Sequence, residues 1–155
     1  MKNKTWFAFA AVIFFSCSNS TQLEEQKQTS SPVEGTWKLL TGTLITGKDT
    51  SITDYTTGKS FIKVINKTHF SFTGHDLNKG KDSAAFFSSG CGKYELSDSN
   101  YTEHLEYCSD RAWEGSDFHF TITRNNDTLM IQGIEKIDSL GINRINIEKY
   151  VLLKN

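Results

Sequence analysis

The chain carries almost no net charge, since 17 lysines and arginines stand against 18 aspartates and glutamates among 155 residues. Binding to nucleic-acid phosphates or to anionic lipid headgroups usually needs a basic surface, so this balance argues against both. Only one proline is present, while 37% of the residues are hydrophobic and 12% are aromatic. That composition is typical of a globular chain rather than a disordered one, and the length suits one domain with a single core.

The sequence also lacks the motifs of common enzyme classes. It contains no nucleophile elbow, no glycine-rich phosphate loop and no HExxH metal-binding helix. Carboxylate pairs such as Asp98 with Glu103 resemble a glycosidase pair, but 18 acidic residues make such pairs common by chance. We therefore predict that the protein is not an enzyme and that it holds no cofactor and no metal.

The apolar run near the N-terminus is too short to cross a membrane. Trp6–Phe15 contains ten apolar residues, whereas a membrane-spanning helix needs about 20. Because Lys2 and Lys4 precede this run, residues 1–16 are predicted to be a secretory signal peptide. The motif FFSC ends at Cys17 and resembles a bacterial lipobox, in which the cysteine is lipidated and becomes the mature N-terminus. The alternative is an ordinary signal peptide followed by an incidental cysteine.

Residues 17–33 are predicted to be a lipid-anchored flexible linker. After the cysteine, SNSTQLEEQKQTSSPV is polar and has no hydrophobic periodicity. A coil of that length spans on the order of 20–25 Å. We expect the domain at residues 34–155 to be anchored in this way to the outer membrane of the cell envelope. Whether it faces the periplasm or the cell surface stays open.

From Gly35 onward the hydrophobic pattern alternates with a period of two, and no window of 11 residues sustains an apolar helical stripe. DFHFTIT places its two phenylalanines and its isoleucine on one face, and HFSFTG does the same with Phe70 and Phe72. The remaining predicted strands are Thr36–Thr46, Ser60–Asn66, Gly92–Ser97, Tyr101–Cys108, Thr128–Glu135 and Asn143–Leu153, with a further short strand considered at Ala84–Ser88.

Turn-forming residues separate these strands, for example at residues 125–127 and 140–141, which indicates consecutive antiparallel hairpins. About eight strands, each with one apolar face, bury those faces best by closing into a barrel, which also removes unpaired edges. We predict an all-β, antiparallel, up-and-down β-barrel of about eight strands. A two-sheet β-sandwich is the alternative.

GTWKLLTG (Gly35–Gly42) resembles the Gly-x-Trp opening of lipocalin-like barrels, in which the tryptophan closes one end. IKVINKTHFSF, GKYELSDSNYTEHLEY and IEKYVLL resemble, more narrowly, small lipocalin-like secreted or lipid-anchored domains of Bacteroidetes-type bacteria, similar to the domain of unknown function DUF4488. This resemblance covers most of Gly35–Lys154 and implies a lipocalin-like barrel. The last strand lacks the arginine that many lipocalins place against this tryptophan.

CGKYELSDSNYTEHLEYC is nearly a mirror image about its centre. A turn at Ser99-Asn100 places Cys91 directly opposite Cys108, and opposed cysteines can reach disulfide separation. Because an exported protein meets oxidising conditions, we predict a Cys91–Cys108 disulfide, with free thiols as the alternative. A zinc site that also uses His104 is disfavoured, since His104 would lie roughly 13 Å from Cys108 along the strand.

The same register places Glu103 on the face of Tyr94 and Tyr107, which is the predicted barrel interior. An unpaired buried charge is costly, so two interpretations of Glu103 stay open. The favoured one is that Glu103 lies near the end of the hairpin and reaches solvent at the barrel rim; the other is that it is a polar anchor for a ligand in the cavity. His69 would line the interior only if the interior is polar. The residues predicted to contact a ligand are Glu103, Tyr94, Tyr107, Phe70, Phe72 and His69.

Three functions fit this sequence. The leading one is a lipid-anchored envelope protein whose barrel binds a small, largely apolar ligand, because barrels of about eight strands can hold one small ligand. The second is a barrel filled with side chains, whose loops contact another envelope protein or a glycan. The third and weakest is an enzyme with Glu103 as general base, which requires a raised pKa of that carboxyl in a closed pocket. We expect a monomer that does not bind nucleic acid.

Overall fold

A computed structural model describes residues 33–154. The predicted signal peptide, the lipidation site Cys17 and residues 18–32 of the predicted linker lie outside this range. Val33, which the sequence placed in the linker, is only 3% exposed and packs in the core. Its carbonyl oxygen accepts a 2.9 Å hydrogen bond from Trp37 Nε1. The folded domain therefore includes Val33.

Nine strands and two short 3-10 helices make up the secondary structure of residues 33–154. The strands are β1 (Gly35–Thr46), β2 (Asp49–Asp54), β3 (Lys59–Ile65), β4 (His69–Asp76), β5 (Phe87–Ser97), β6 (Asn100–Cys108), β7 (Ser116–Asn125), β8 (Thr128–Ile137) and β9 (Ile142–Leu152). The helices are Arg111–Trp113 and Asp138–Leu140. Neither of these two helices is long or apolar enough to span a membrane.

The strands form one closed antiparallel barrel. Strands β3 to β9 pair in chain order, and β9 pairs with β1 to complete the circle. Trp37 and Lys38 of β1 pair with both β3 and β9, whereas residues 41–45 pair with both β2 and β9. Since β2 and β3 share one side of β1, β2 is an extra strand beside an eight-stranded barrel. The predicted all-β, up-and-down, lipocalin-like barrel is confirmed, and the sandwich alternative is wrong.

The sequence did not predict β2, because its residues DTSITD offer no apolar face; Ile52 is 69% exposed. No separate strand forms at Ala84–Ser88. Instead β5 begins at Phe87, five residues before the predicted start at Gly92. Both differences follow from pairing with a neighbouring strand rather than from a local hydrophobic pattern.

One end of the barrel is filled with large side chains. Trp37 has no exposed surface, and the Arg124 guanidinium carbon lies 5.3 Å from the centre of its ring. An arginine on β7 therefore covers this tryptophan, in place of one on the last strand. The largest fully buried side chains are Trp37, Tyr101, Tyr150, Phe70, Leu39, Leu129 and Ile131.

The β5–β6 hairpin turns one residue earlier than predicted. Ser97 lies opposite Asn100, so Asp98 and Ser99 form the turn, and Asp98 has a positive φ of 54°. Aspartate tolerates this left-handed conformation better than most residues. The segment SDSN can form a two-residue turn at Asp98-Ser99 or at Ser99-Asn100. Both turns give the same alternation of inner and outer faces. Tyr94 and Glu103 therefore face inward in either register.

A β-bulge between β5 and β6 shifts the two cysteines out of direct opposition. The pairing shifts between Cys91 and Gly92, where Glu106 is the extra residue of β6, so Cys91 lies opposite Tyr107 and Gly90 lies opposite Cys108. Only glycine suits position 92, because a Cβ there would lie 1.8 Å from the His104 carbonyl oxygen. The predicted direct opposition of Cys91 and Cys108 is wrong, and both are free thiols in the structure.

Candidate functional site

The barrel interior beyond the filled end contains a cavity of about 310 Å³. That volume lies at the lower limit of ligand pockets, which run from about 300 to 1,000 Å³. The apolar residues that line it are Phe61, Phe72, Leu105, Trp113, Phe118 and Phe120. The polar residues that line it are Lys63, Ser88, Glu103, Cys108, Asp110, Glu135, Arg144, Asn146 and Glu148. The cavity thus combines an aromatic wall with a strongly charged lining.

Strand alternation explains why charged side chains point inward. On β3, Lys63 lies between Phe61 and Ile65 on one face, and all three are buried. On β9, Glu148 shares the inner face with buried Asn146 and buried Tyr150. Charged side chains therefore occupy strand positions that face the barrel interior.

The centre of this lining is a buried ion pair. Lys63 Nζ lies 2.5 Å from Glu103 Oε1, and the two side chains are 4% and 7% exposed. Burial lowers the pKa of Lys63, but the charges of Glu103 and Glu148 outweigh that effect and raise the Lys63 pKa above its ordinary value. Burial raises the pKa of Glu103, and the Lys63 charge opposes that shift. The pair neutralises itself in a region from which water is excluded.

Two tyrosines and a second glutamate adjoin the pair. Glu148 Oε2 lies 3.8 Å from Lys63 Nζ and accepts a 2.8 Å hydrogen bond from the Tyr150 hydroxyl. The Tyr101 hydroxyl is buried and has no hydrogen-bond partner among residues 33–154. Burial, with the nearby carboxylates, raises the pKa of both tyrosines above the ordinary value. Both phenols therefore stay neutral at physiological pH.

A second polar group lies closer to Trp113. Arg144 Nε donates to Glu135 Oε2 at 2.7 Å, and Asn146 Nδ2 donates to Glu135 Oε1 at 2.8 Å. The Arg144 guanidinium carbon lies 5.4 Å from the centre of the Trp113 ring. Burial raises the pKa of Glu135, while the Arg144 charge lowers it. Both oxygens of Glu135 are thereby engaged.

Glu103 and Phe72 are the only two predicted ligand contacts that line the cavity. Glu103 is 5% exposed, so it does not reach solvent at the rim. Phe70 is buried in the filled end beneath the cavity. Tyr94 is half-buried, and its hydroxyl donates to the Asn66 carbonyl oxygen at 2.8 Å, away from the cavity lining.

Tyr107 and His69 do not reach the interior. The β-bulge reverses the faces of β6, so Tyr107 points outward and is 64% exposed, whereas Cys108 turns toward the cavity. His69 is exposed, and its Nδ1 lies 2.7 Å from the Thr68 hydroxyl. Both predicted contacts are wrong. Tyr107 faces outward because of the bulge, and His69 faces outward because Phe70 and Phe72 occupy the inward face.

Lys63 and Glu148 are the main residues that the sequence reading missed. Lys63 carries an available signal, because FIKVI places it in phase with Phe61 and Ile65. Glu148 carries none, because in INIEKY the two isoleucines alternate with Asn146 and Glu148 and so indicate the opposite face. The contact between Lys63 and Glu103 carries no such signal, since the two are separated by 40 residues. Among residues 33–154, no three histidine, cysteine, aspartate or glutamate side chains converge as a set that could hold a metal ion.

The buried cationic lysine and the two neutral tyrosines predict alkaline destabilisation. Lys63, Tyr101 and Tyr150 have folded-state pKa values raised above 10.5, 10.0 and 10.0. The contribution of these groups to the unfolding free energy is fully present below about pH 10. It is lost at higher pH, because the unfolded chain then releases protons that the folded chain keeps. Each group lowers the unfolding free energy by up to about 1.4 kcal/mol per pH unit.

Urea unfolding followed by circular dichroism from about pH 8 to about pH 11.5 measures this loss. Tyr101→Phe should reduce the alkaline slope, whereas Tyr107→Phe should leave it unchanged because Tyr107 is exposed. An unfolding free energy that stays flat over the whole range would contradict the prediction.

Comparison with protein-family models and with curated proteins found no match to this chain.

Proposed function

We propose that this protein is a lipid-anchored lipocalin-like domain of the cell envelope that binds one small molecule inside its barrel. The observation that carries the proposal is the cavity of about 310 Å³ between an aromatic wall and charged side chains. Such a mixture of apolar surface and a few oriented polar groups is typical of ligand sites. The resemblance to DUF4488-like bacterial domains supports the lipid anchor and the barrel but not the ligand, because the function of those domains is unknown.

The charged lining refines the ligand that this proposal requires. A wholly apolar molecule would cover the partly exposed side chains of Glu148 and Arg144 without offering them a hydrogen-bond partner, which is unfavourable. The aromatic wall of Phe61, Phe72 and the other rings favours an apolar body. The ligand is therefore amphiphilic, with a polar group among the charges and an apolar body along the wall.

The filled-barrel alternative accounts for one end of the molecule only. The side chains around Trp37 pack without exposed surface, but the cavity lies beyond them. The enzyme alternative is less well supported, because Glu103 is paired with the Lys63 ammonium, whose charge makes the carboxylate a weaker base, and its side chain is only 7% exposed to a substrate. A general base needs a lone pair within reach of the substrate.

Native mass spectrometry of the full-length protein, extracted from its own membranes in mild detergent, tests for the ligand. Wild type should carry a small-molecule adduct that dissociates on denaturation. Ser88→Trp should lose the adduct, because Ser88 lines the cavity. The same substitution at exposed Ser51 should leave the adduct bound. Bare wild-type protein, or equal occupancy in Ser88→Trp, would defeat the binding proposal.

The anchor is tested separately at Cys17. Cys17→Ser should release the protein from the membrane fraction and remove the mass of the attached lipid. The lipobox resemblance of FFSC supports this expectation. Continued membrane retention together with an unchanged mass would count against lipid anchoring, while leaving the binding proposal intact.

A further inference from the structure

The charged lining of the cavity has an excess of negative charge. Glu103, Glu135 and Glu148 are three carboxylates, against the two cations Lys63 and Arg144. When all five are ionised the group carries a charge of −1, and Asp110 at the exposed mouth adds another negative charge. Negative charge in a region of low dielectric is costly unless a cation or hydrogen-bond donors compensate it.

The oxygen atoms differ in how far they are satisfied. Glu103 Oε1 pairs with Lys63, and both Glu135 oxygens accept hydrogen bonds. Glu148 Oε2 accepts from the Tyr150 hydroxyl. No hydrogen bond from residues 33–154 reaches Glu103 Oε2 or Glu148 Oε1. Both residues line the cavity, but the Glu148 side chain is 18% exposed and the Glu103 side chain only 7%. Glu148 therefore presents an acceptor that a ligand can reach.

The aromatic wall also suits a positive charge, because ring faces attract cations. Phe61 and Phe72 stack with their centres 5.6 Å apart, and Phe118 and Phe120 stack at 6.1 Å. The interior already accommodates one ammonium group: Lys63 Nζ lies 5.4 Å from the Phe70 ring centre. Nitrogen cations and aromatic rings thus coexist in this barrel.

An anionic group is disfavoured by the same contacts. Lys63 is 3% exposed and already lies near two carboxylates, so it offers little to a ligand anion. Arg144 donates to Glu135 through Nε and stacks on Trp113. A carboxylate that entered the cavity would add a like charge to a group that is already negative.

We propose that the ligand is a primary amine with an aromatic or alkyl body, whose ammonium group binds Glu148 and whose body packs on Phe61, Phe72 and their neighbouring rings. The inference rests on the proposed small-molecule binding and names its substrate class. The bound ammonium brings the charge of the five lining groups to zero. It donates to the Glu148 oxygen that the protein leaves unpaired.

Isothermal titration calorimetry of the full-length protein with three matched probes tests the proposal. The probes are 4-phenylbutylamine, 4-phenylbutanol and 4-phenylbutyrate, which differ only in the polar end. The amine should bind about 10-fold or more tightly than the alcohol, the factor expected for one hydrogen bond to a charged group, and the carboxylate should bind weakest.

Glu148→Gln should remove this amine preference and leave the alcohol affinity unchanged, since glutamine keeps an acceptor for Tyr150. Glu95→Gln is the matched control, because Glu95 lies outside the cavity and its side chain is 80% exposed. An alcohol or carboxylate that binds as tightly as the amine would overturn the amine assignment and leave the binding function standing.

If none of the three probes binds, the small-molecule adduct seen by native mass spectrometry tests the amine assignment. Its loss from Glu148→Gln, with full occupancy in Glu95→Gln, supports the assignment, and undiminished occupancy in Glu148→Gln overturns it. Absence of any adduct from wild type overturns the proposed function and this inference together.

Discussion

Lys63→Met will lower the free energy of unfolding by about 3–5 kcal/mol at neutral pH, because it leaves a buried carboxylate without its counter-charge. Glu103 is 5% exposed and its Oε1 lies 2.5 Å from the lysine nitrogen. Methionine nearly preserves the side-chain volume, so lost packing contributes little. Urea unfolding monitored by circular dichroism or tryptophan fluorescence measures the difference.

The pH dependence of this variant identifies the cause. Without Lys63 the pKa of Glu103 rises further, and a raised carboxyl pKa favours the folded state as pH falls. The loss in Lys63→Met should therefore shrink at about pH 5 compared with neutral pH. A loss that is the same at both pH values would indicate a packing defect instead.

Two further variants serve as controls. Lys63→Met combined with Glu103→Leu should recover most of the stability, because it removes the more deeply buried carboxylate together with its partner, while Glu148 is 18% exposed and keeps its hydrogen bond from Tyr150. Lys93→Met should change stability by less than about 0.5 kcal/mol, since Lys93 is exposed on β5. A double variant that is as unstable as the single one would contradict the role assigned to the ion pair.

Trp37→Ala will also lower the free energy of unfolding, by about 3–5 kcal/mol, because it removes the largest side chain of the filled end. Trp37 has no exposed surface, and its indole nitrogen holds the Val33 carbonyl oxygen at 2.9 Å. The substitution loses buried area, opens a void and frees the segment at Val33. Thermal and urea unfolding measure the effect.

Trp113→Ala provides the matched comparison at the opposite end. Trp113 is partly exposed and lines the cavity, so its removal should cost less stability than removal of Trp37 and should weaken ligand binding. A stability loss below about 1 kcal/mol for Trp37→Ala would contradict the closed end described above.

The period-two pattern was sufficient to predict the eight strands of the barrel and the fold class, because alternation indicates which residues face a core, whereas β2 has no apolar face and was missed. It also assigned Glu103 to the inner face, and that assignment survives a turn that is one residue earlier. Lys63 follows the same rule, since it alternates in phase with Phe61 and Ile65, whereas the isoleucines beside Glu148 lie out of phase with it and point to the opposite face. A charged residue at a position that the alternation assigns to the core indicates that the interior is polar.

The hydrophobic pattern could not predict the β-bulge opposite Cys91 and Gly92. The bulge inserts one residue into β6 and so exchanges the faces of Tyr107 and Cys108. Local alternation continues on both sides of a bulge. Gly92 is the residue that the bulge requires, but β5 also contains Gly90, so the glycines alone do not fix where the phase changes. The predicted disulfide and the predicted Tyr107 contact both failed for this reason.

The sequence by itself determined a single all-β domain with its strands, its buried tryptophan and an inward glutamate. Only the tertiary structure decided which side chains meet: Lys63 with Glu103 across 40 residues, and Arg124 over Trp37. The physical reason is that alternation is a property of one strand, whereas a contact depends on register and closure. Both are set by the whole sheet, and the cavity with its charge balance exists only once the barrel has closed.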